Sequence, residues 1–297
     1  MTVRAVIDIG SHSVLLLVAE GEQPAVLAEQ YHITALGRGL GATGRIASDA
    51  AARTRRVIDS CLATCRRLGA DQTVLVGTAA LREAKNKKEI ASKLSESPIR
   101  VLSPEEEAGL TRRGALFGLE AGDDAVVCDL GGRSTEISWP GGKQSLPVGC
   151  QRGREDHLAS DPPADEEIAR LRARVRKLLP PPPPADTLVV SGGTATALAA
   201  MDLKLAEYQS AAVHGRKITR TVLSKLIDRL VTVGLDERKQ LAGIESGRAD
   251  VLPAGAVISD ELCGWCRRDE FLVSARGLTW GVWLTSTSDR LYGDGHA

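Results

Sequence analysis

The chain has 297 residues, with 38 Lys and Arg against 38 Asp and Glu, 43% hydrophobic and 26% charged residues. That length predicts two domains of modest size, and the composition excludes wholesale disorder. Net neutrality excludes a polyanion held by bulk positive charge, and no apolar run reaches the ~18 residues of a membrane span. With aromatics at 3%, the cores must be built from Ala, Val, Leu and Ile. The first residues run into a strand-like segment without a signal-peptide layout, so a cytoplasmic protein is expected.

In chain order, residues 3–19 read as two apolar strands around a tight Gly10-Ser11-His12-Ser13 turn. Residues 48–68, opened by Ser48, read as a helix on the spacing of Val57, Ile58, Leu62 and Leu68. Thr73–Val76 is a strand that runs into a helix start at Gly77-Thr78. Ser103-Pro104-Glu105-Glu106-Glu107 is a second helix start, with Ser103 as cap, Pro104 in the first position and Glu106 closing a capping box. Near residue 125 the opening phrase recurs as Ala125-Val-Val-Cys128-Asp129-Leu-Gly131-Gly132-Arg133-Ser134-Thr135-Glu136. Residues 165–179 place Asp165, Glu166 and Glu167 first and Arg170, Arg172, Arg174, Arg176 and Lys177 later, an order that suits a helix dipole and a solvated basic face. Pro180–Pro184 is a rigid spacer before a strand at 187–191, which leads into Gly192-Gly193-Thr194.

The offset is 121 residues between Asp8 and Asp129 and 116 between Thr78 and Thr194. Two echoes at nearly one offset predict an α/β protein of two like domains, 1–122 and 123–297, with the last helix packing back on the first. The six cysteines suggest no disulfide framework. Cys263-Gly-Trp-Cys266 has the spacing of a redox pair or half a zinc site, and Cys61 and Cys65 lie one helical turn apart. Buried small hydrophobes are the reading preferred for all four.

Glycine turns after buried strands bring backbone N–H groups close to an oxyanion, and the hydroxyls that follow add donors. The chain offers Gly10–Ser13, Gly131–Thr135 and Gly192–Thr194. Any of them is also an ordinary tight turn, but three in one duplicated frame point to phosphate binding across an interdomain cleft. An aspartate beside phosphate is repulsive unless it shares a divalent cation or orients water, which makes Asp8 and Asp129 part of an expected phosphate-and-Mg²⁺ site.

The phrases Asp8-x-Gly10-Ser11 and Asp129-x-Gly131-Gly132-x-Ser134-Thr135-Glu136 resemble the exopolyphosphatase and guanosine pentaphosphate phosphohydrolase (PPX/GppA) family. That family belongs to the actin, Hsp70 and sugar-kinase superfamily of duplicated ribonuclease-H-like domains. The resemblance spans nearly the whole chain. It takes in Gly77-Thr78-Ala-Ala-Leu-Arg82-Glu-Ala-Lys85-Asn86, Glu105-Glu106-Glu107-Ala108, Leu146-Pro147-Val148-Gly149, Gly192-Gly193-Thr194, Val213-His214-Gly215, Arg248-Ala249-Asp250-Val251 and Val273-Ser274-x-x-Gly277-Leu278.

The resemblance implies Mg²⁺-assisted hydrolysis of a terminal phosphoanhydride, with Glu107 activating water and Asp129 and Glu136 around the metal. It implies phosphate contacts from Asp8, Gly10, Ser11, His12, Ser13, Thr78, Arg82, Gly131, Gly132, Arg133, Ser134, Thr135, Gly192, Gly193 and Thr194. The expected partners are inorganic polyphosphate, in short chains, or guanosine pentaphosphate, without nucleic acid or membrane, and a homodimer is carried as an open expectation. Two family arginines are replaced, by Leu15 in the first turn and by Thr279 in Gly277-Leu278-Thr279-Trp280-Gly281, and Arg133 stands where a third glycine is usual. These departures keep open a weakly active or inactive polyphosphate- or alarmone-binding protein. A kinase or ATPase of the superfamily is a further alternative. Residues 1–122 carry 16 basic and 14 acidic side chains and residues 123–297 carry 22 and 24, so any polyanion must be held locally. The candidates are Arg82, Lys85, Lys87, Arg152, Lys217 and Arg248.

Overall fold

The computed structural model describes residues 2–286. The chain divides into two compact units, one of Met1–Gly114 with the described part of Gly277–Ala297, the other of Ala115–Arg276.

The first unit contains β1 (Val3–Ile9), β2 (Ser13–Glu20), β3 (Ala25–Ile33), α1 (Leu40–Thr43), α2 (Ser48–Arg67), β4 (Gln72–Gly77), α3 (Ala79–Glu83), α4 (Lys87–Leu94), β5 (Ile99–Val101) and most of α5 (Pro104–Leu116). Its sheet runs β3-β2-β1-β4-β5, with β1–β2 and β2–β3 antiparallel and β1–β4 and β4–β5 parallel. Side chains alternate across a strand, so Ala5, Ile7, Ile9, Val14, Leu16 and Val18 enter one core with Ile58 and Cys61 of α2, Leu81 of α3 and Ile90 and Leu94 of α4. Asp8 and Leu15 fall on the opposite face.

The second unit contains β6 (Val126–Leu130), β7 (Thr135–Trp139), β8 (Gly142–Leu146), α6 (Cys150–His157), α7 (Asp165–Leu178), β9 (Leu188–Ser191), α8 (Gly193–Asp202), α9 (Ser210–Val213), β10 (Lys217–Thr219), α10 (Arg220–Val231), α11 (Leu235–Arg238), α12 (Leu252–Cys266) and β11 (Glu270–Ser274). Its sheet runs β10-β11-β9-β6-β7-β8. With β6, β7, β8, β9 and β11 standing for β1 to β5, order and strand directions repeat those of the first unit, and β10 is an addition. Each unit is therefore a ribonuclease-H-like α/β domain of the actin, Hsp70 and sugar-kinase type. Val126, Cys128, Leu130 and Ile137 enter the large core under α8 and α12, whereas Val127 and Val189 join a small cluster on the other face.

The last described helix, α13 (Leu278–Ser286), belongs to the first unit and lies against β1 and β2. Trp283 Nε1 donates to the Arg4 carbonyl at 3.2 Å, and the Arg4 guanidinium lies 4.4 Å from the centre of the Trp283 ring. The division falls after residue 114, beside the expected 1–122 and 123–297 with a last helix packed back on the first domain, and α13 lies in the first unit. Ala115, Leu116, Leu119 and Ala121 pack with Ala125, Val127, Val189 and Leu272, which draws residues 115–122 into the second unit. No helix among the described residues is long and apolar enough to cross a membrane.

The capping box of α5 is present, with Glu106 N–H donating to Ser103 Oγ at 3.1 Å and Ser103 N–H to Glu106 Oε2 at 2.9 Å. Ser48 is the first residue of α2 and Ala47 occupies its cap, without a side-chain hydrogen bond. The basic run of α7 is not wholly solvated. Arg172 donates to Asp260 and Glu261 of α12, and Arg176 donates to both oxygens of Glu261. Strand register pairs Val76 with Asp8 and Ser191 with Asp129, which aligns Thr78 with Gly193, one residue off the Thr78–Thr194 echo.

Glu167, in the first turn of α7, accepts from the backbone N–H groups of Ala159, Ser160 and Ala164 and from the Ser160 hydroxyl. The Ser160 hydroxyl, followed by these N–H donors, lowers its carboxyl from 4.5 to about 2. A group with a depressed folded value stabilises the fold above its unfolded value and loses that contribution as the pH falls through the folded one. Denaturant unfolding between pH 5.5 and pH 2 should therefore show a stability loss that Glu167→Gln reduces.

Candidate functional site

Two hairpin turns repeat one another. Ile9 pairs with Val14 and Leu130 with Thr135, so residues 10–13 and 131–134 connect their strands in equal length. Gly10 N–H donates to Ser13 O at 2.9 Å, and Gly131 N–H to Ser134 O at 3.0 Å. A Cβ on Gly10 would lie 2.9 Å from Ser13 O, and one on Gly131 3.1 Å from Ser134 O, which is why both turns open on glycine. The carbonyls of both turns are taken up by the chain that follows. Ser11 O accepts from Gly37 N–H, and His12 O from Thr34 and Ala35 N–H. Gly131 O accepts from Cys150 N–H, and Gly132 O from Gln151 and Arg152 N–H, at the start of α6. Ser11, His12 and Ser134 are buried, and Ser13 is half-buried.

In the first unit, α5 brings Glu107 to a buried position where Arg82 of α3 meets it. Arg82 Nη1 donates to Glu107 Oε2 and to the Leu102 carbonyl, each at 2.8 Å. The expected phosphate ligand Arg82 is thus committed to the expected base. The rest of its motif ties loops together. Asn86 exchanges two hydrogen bonds with the backbone of Ile46, and Lys85 N–H donates to Gly44 O. Thr78 is buried at the start of α3.

In the second unit, Asp129 on β6 and Glu136 on β7 stand directly opposite each other, which places both carboxylates on one face of the sheet. Ser191 Oγ donates to Asp129 Oδ1 at 2.8 Å, and Ser145 Oγ to Glu136 Oε1 at 2.8 Å. Burial pushes the Asp129 carboxyl above its ordinary value, and the Ser191 hydrogen bond opposes that rise. Neither serine was singled out by motif. The signal that finds them is strand register, since Ser191 and Ser145 are the cross-strand partners of the two acids.

Four expected phosphate ligands have other structural work. Thr135 is fully buried and its hydroxyl donates to Val148 O at 2.7 Å, because the Leu146–Gly149 segment folds under the turn. Thr194 is 1% exposed, and a Cβ on Gly255 of α12 would lie 2.4 Å from its Oγ1. A Cβ on Gly193 would lie 2.0 Å from Arg248 Nη1, so that guanidinium covers the start of α8, with Gly192 as its cap. Arg133 is 3% exposed and faces Glu155 at 3.6 Å.

All six thiols are free and buried. Burial pushes Cys263 up to about 12 and Cys61 to about 11, and raises Cys266 and Cys65, so these groups are inert thiols at neutral pH. Among the described residues no three His, Cys, Asp or Glu side chains are grouped to hold a metal by themselves.

Comparison with known proteins follows the same lines. Exopolyphosphatase 2 of Mycobacterium tuberculosis is 33% identical over 315 residues, covering 96% of this chain and 98% of its own. A crystal structure of the Aquifex aeolicus PPX-GPPA enzyme superposes with a TM-score of 0.80 at 30% identity, over 96% of this chain and 99% of that one. The crystal structure of an exopolyphosphatase-like protein gives a TM-score of 0.90 at 26% identity, over 98% and 100%. The family model of the Ppx/GppA phosphatases matches residues 15–289. With its duplicated fold, its paired glycine turns and this match over most of its length, the chain belongs to the Ppx/GppA phosphatase family.

Proposed function

We propose that this chain is a phosphoanhydride hydrolase of exopolyphosphatase type, releasing terminal phosphate from short inorganic polyphosphate by attack of water with Mg²⁺. The observation that carries the reading is the buried Glu107 carboxylate, held by Arg82 in one orientation at the start of α5. A general base must be placed before it is useful, and a charge-assisted hydrogen bond to one oxygen does the placing. The names of the mycobacterial relatives support the substrate.

Asp129 and Glu136 fit a divalent cation. Mg²⁺ is commonly held by one or two carboxylates, with phosphate and water oxygens completing its shell, and a cation beside Asp129 would offset the burial that raises its carboxyl. When bound, the ion would neutralise charge that develops on the transferred phosphoryl group. Glu107 takes the proton of the attacking water. In each turn the N–H groups and hydroxyls that follow the glycine, at Ser11–Ser13 and at Gly132–Ser134, are donors suited to phosphate oxygens. Asp8 precedes the first turn in β1, in the place Asp129 has in β6.

A second reading, binding of polyphosphate with slow turnover, is favoured by one observation. Leu15 stands directly opposite Asp8, and Thr279 is buried in α13, so neither position offers the cation usual in the family. One panel separates the readings: orthophosphate release with Mg²⁺ from polyphosphates of several lengths, guanosine pentaphosphate and ATP, alongside calorimetric binding of each. Turnover highest on short polyphosphate supports the proposal. Turnover highest on guanosine pentaphosphate moves the substrate within the family. Tight binding with negligible turnover, relieved by Leu15→Arg with Thr279→Arg, establishes the second reading.

A further inference from the structure

The row that carries the acidic pair has five members. Residues paired in register across a sheet stand side by side on one face, and here the order is Ser274 on β11, Ser191 on β9, Asp129 on β6, Glu136 on β7 and Ser145 on β8. The two carboxylates are adjacent, with Ser191 on one side and Ser145 on the other, and Ser274 lies beyond Ser191. The Ser191 and Ser145 hydroxyls each donate to the neighbouring acid at 2.8 Å. The first unit supplies an internal comparison, because its equivalent row reads Arg100, Val76, Asp8, Leu15 and Tyr31. The row with two acids is the one in which a serine flanks each of them.

We propose that Ser191 and Ser145 are positioning residues for the acidic pair, each fixing the rotamer of its carboxylate and so pre-organising the two for a divalent cation. The inference rests on the reading that Asp129 and Glu136 hold that cation. A carboxylate with a free rotamer must be ordered at the moment of binding, and a hydroxyl that has already ordered it removes this cost. The serine side chain is suited to the task, being short enough to reach the adjacent strand's carboxylate and neutral, so that it does not compete with the cation for charge.

The test uses the full chain, with Mn²⁺ as the probe and free Mn²⁺ read by electron paramagnetic resonance in the absence of substrate. Asp129→Asn should abolish specific binding. Ser145→Ala and Ser191→Ala should each weaken it by about 10-fold, the lower end of the effect of removing such an outer partner. Ser145→Thr, which keeps the hydroxyl at a half-buried position, should bind as the wild type does. In turnover assays the alanine variants should need correspondingly more Mg²⁺ for half-maximal rate and recover at saturation, which a general loss of structure would not do. Alanine variants that bind as the wild type, beside a dead Asp129→Asn, overturn the serine proposal alone. If Asp129→Asn also binds as the wild type, the acidic pair is not the cation site and both readings fall. Should Ser191→Ala fail to fold at its fully buried site, the Ser145→Ala and Ser145→Thr pair decides the question.

Discussion

Glu107→Gln is expected to lower phosphate release by about 10²–10⁴-fold, the range that a positioned general base contributes. Glutamine has the shape of glutamate, and its amide oxygen can still accept from Arg82, whose Nη1 lies 2.8 Å from Glu107 Oε2. What is lost is the charge that accepts a proton from water. The loss should therefore fall on kcat, with KM and the thermal midpoint near those of the wild type. Arg82→Lys keeps a positive charge but cannot donate with guanidinium geometry to both Glu107 and the Leu102 carbonyl, so it should also lower kcat. Release from Glu107→Gln within a few-fold of the wild type would show that the base lies elsewhere.

Gly281→Ala is expected to destabilise the first unit by about 3 kcal/mol, the upper end of the usual cost of overpacking. In an ordinary helix interior the same change is favourable, since alanine is the better helix former by about 1 kcal/mol. Here α13 crosses α5 backbone to backbone. A Cβ on Gly281 would lie 1.7 Å from Leu110 O, and one on Gly114 would lie 2.0 Å from Gly277 O. Neither neighbour is a side-chain tip that can swing away. Gly109, also on α5, has nothing within 4 Å of its Cβ position, so Gly109→Ala should raise stability by about 0.5–1 kcal/mol. Thermal unfolding of the two variants should move in opposite directions, at about 2–4 °C per kcal/mol. Because α5 carries Glu107, Gly281→Ala should also depress turnover below its melting range.

Local signals were legible in the chain wherever the physics is local. The capping box at Ser103 and Glu106, the paired turns after Asp8 and Asp129, and the duplicated strand order all follow from short stretches of sequence. What the residues did not disclose depends on contacts between distant segments. Arg82 is expected among the phosphate ligands, and only the fold shows that Glu107, 25 positions along the chain, is its partner. Gly281 reads as part of a phrase lacking its arginine, whereas its fit against the Leu110 carbonyl accounts for the glycine, and the Gly277 carbonyl in turn accounts for Gly114. Thr135 and Thr194 carry hydroxyls suited to phosphate, and both are buried, Thr135 donating to Val148 O. The boundary at 114 is hidden for a similar reason, since it lies inside α5, where no change of composition marks it.

Neutral net charge, first an argument against a polyanionic substrate, becomes a statement about how one would be held. With each half of the chain close to neutral, the proposed reading draws affinity from the turns, a cation at the acidic pair and a few placed basic side chains. The most direct measurement is the product pattern from short polyphosphate incubated with the purified chain and Mg²⁺, resolved by chain length over time. The account predicts orthophosphate as the released species and a ladder that shortens one unit at a time, dependent on Mg²⁺ and lost in Glu107→Gln. Cleavage within the chain, or no shortening at any Mg²⁺ concentration, would contradict it.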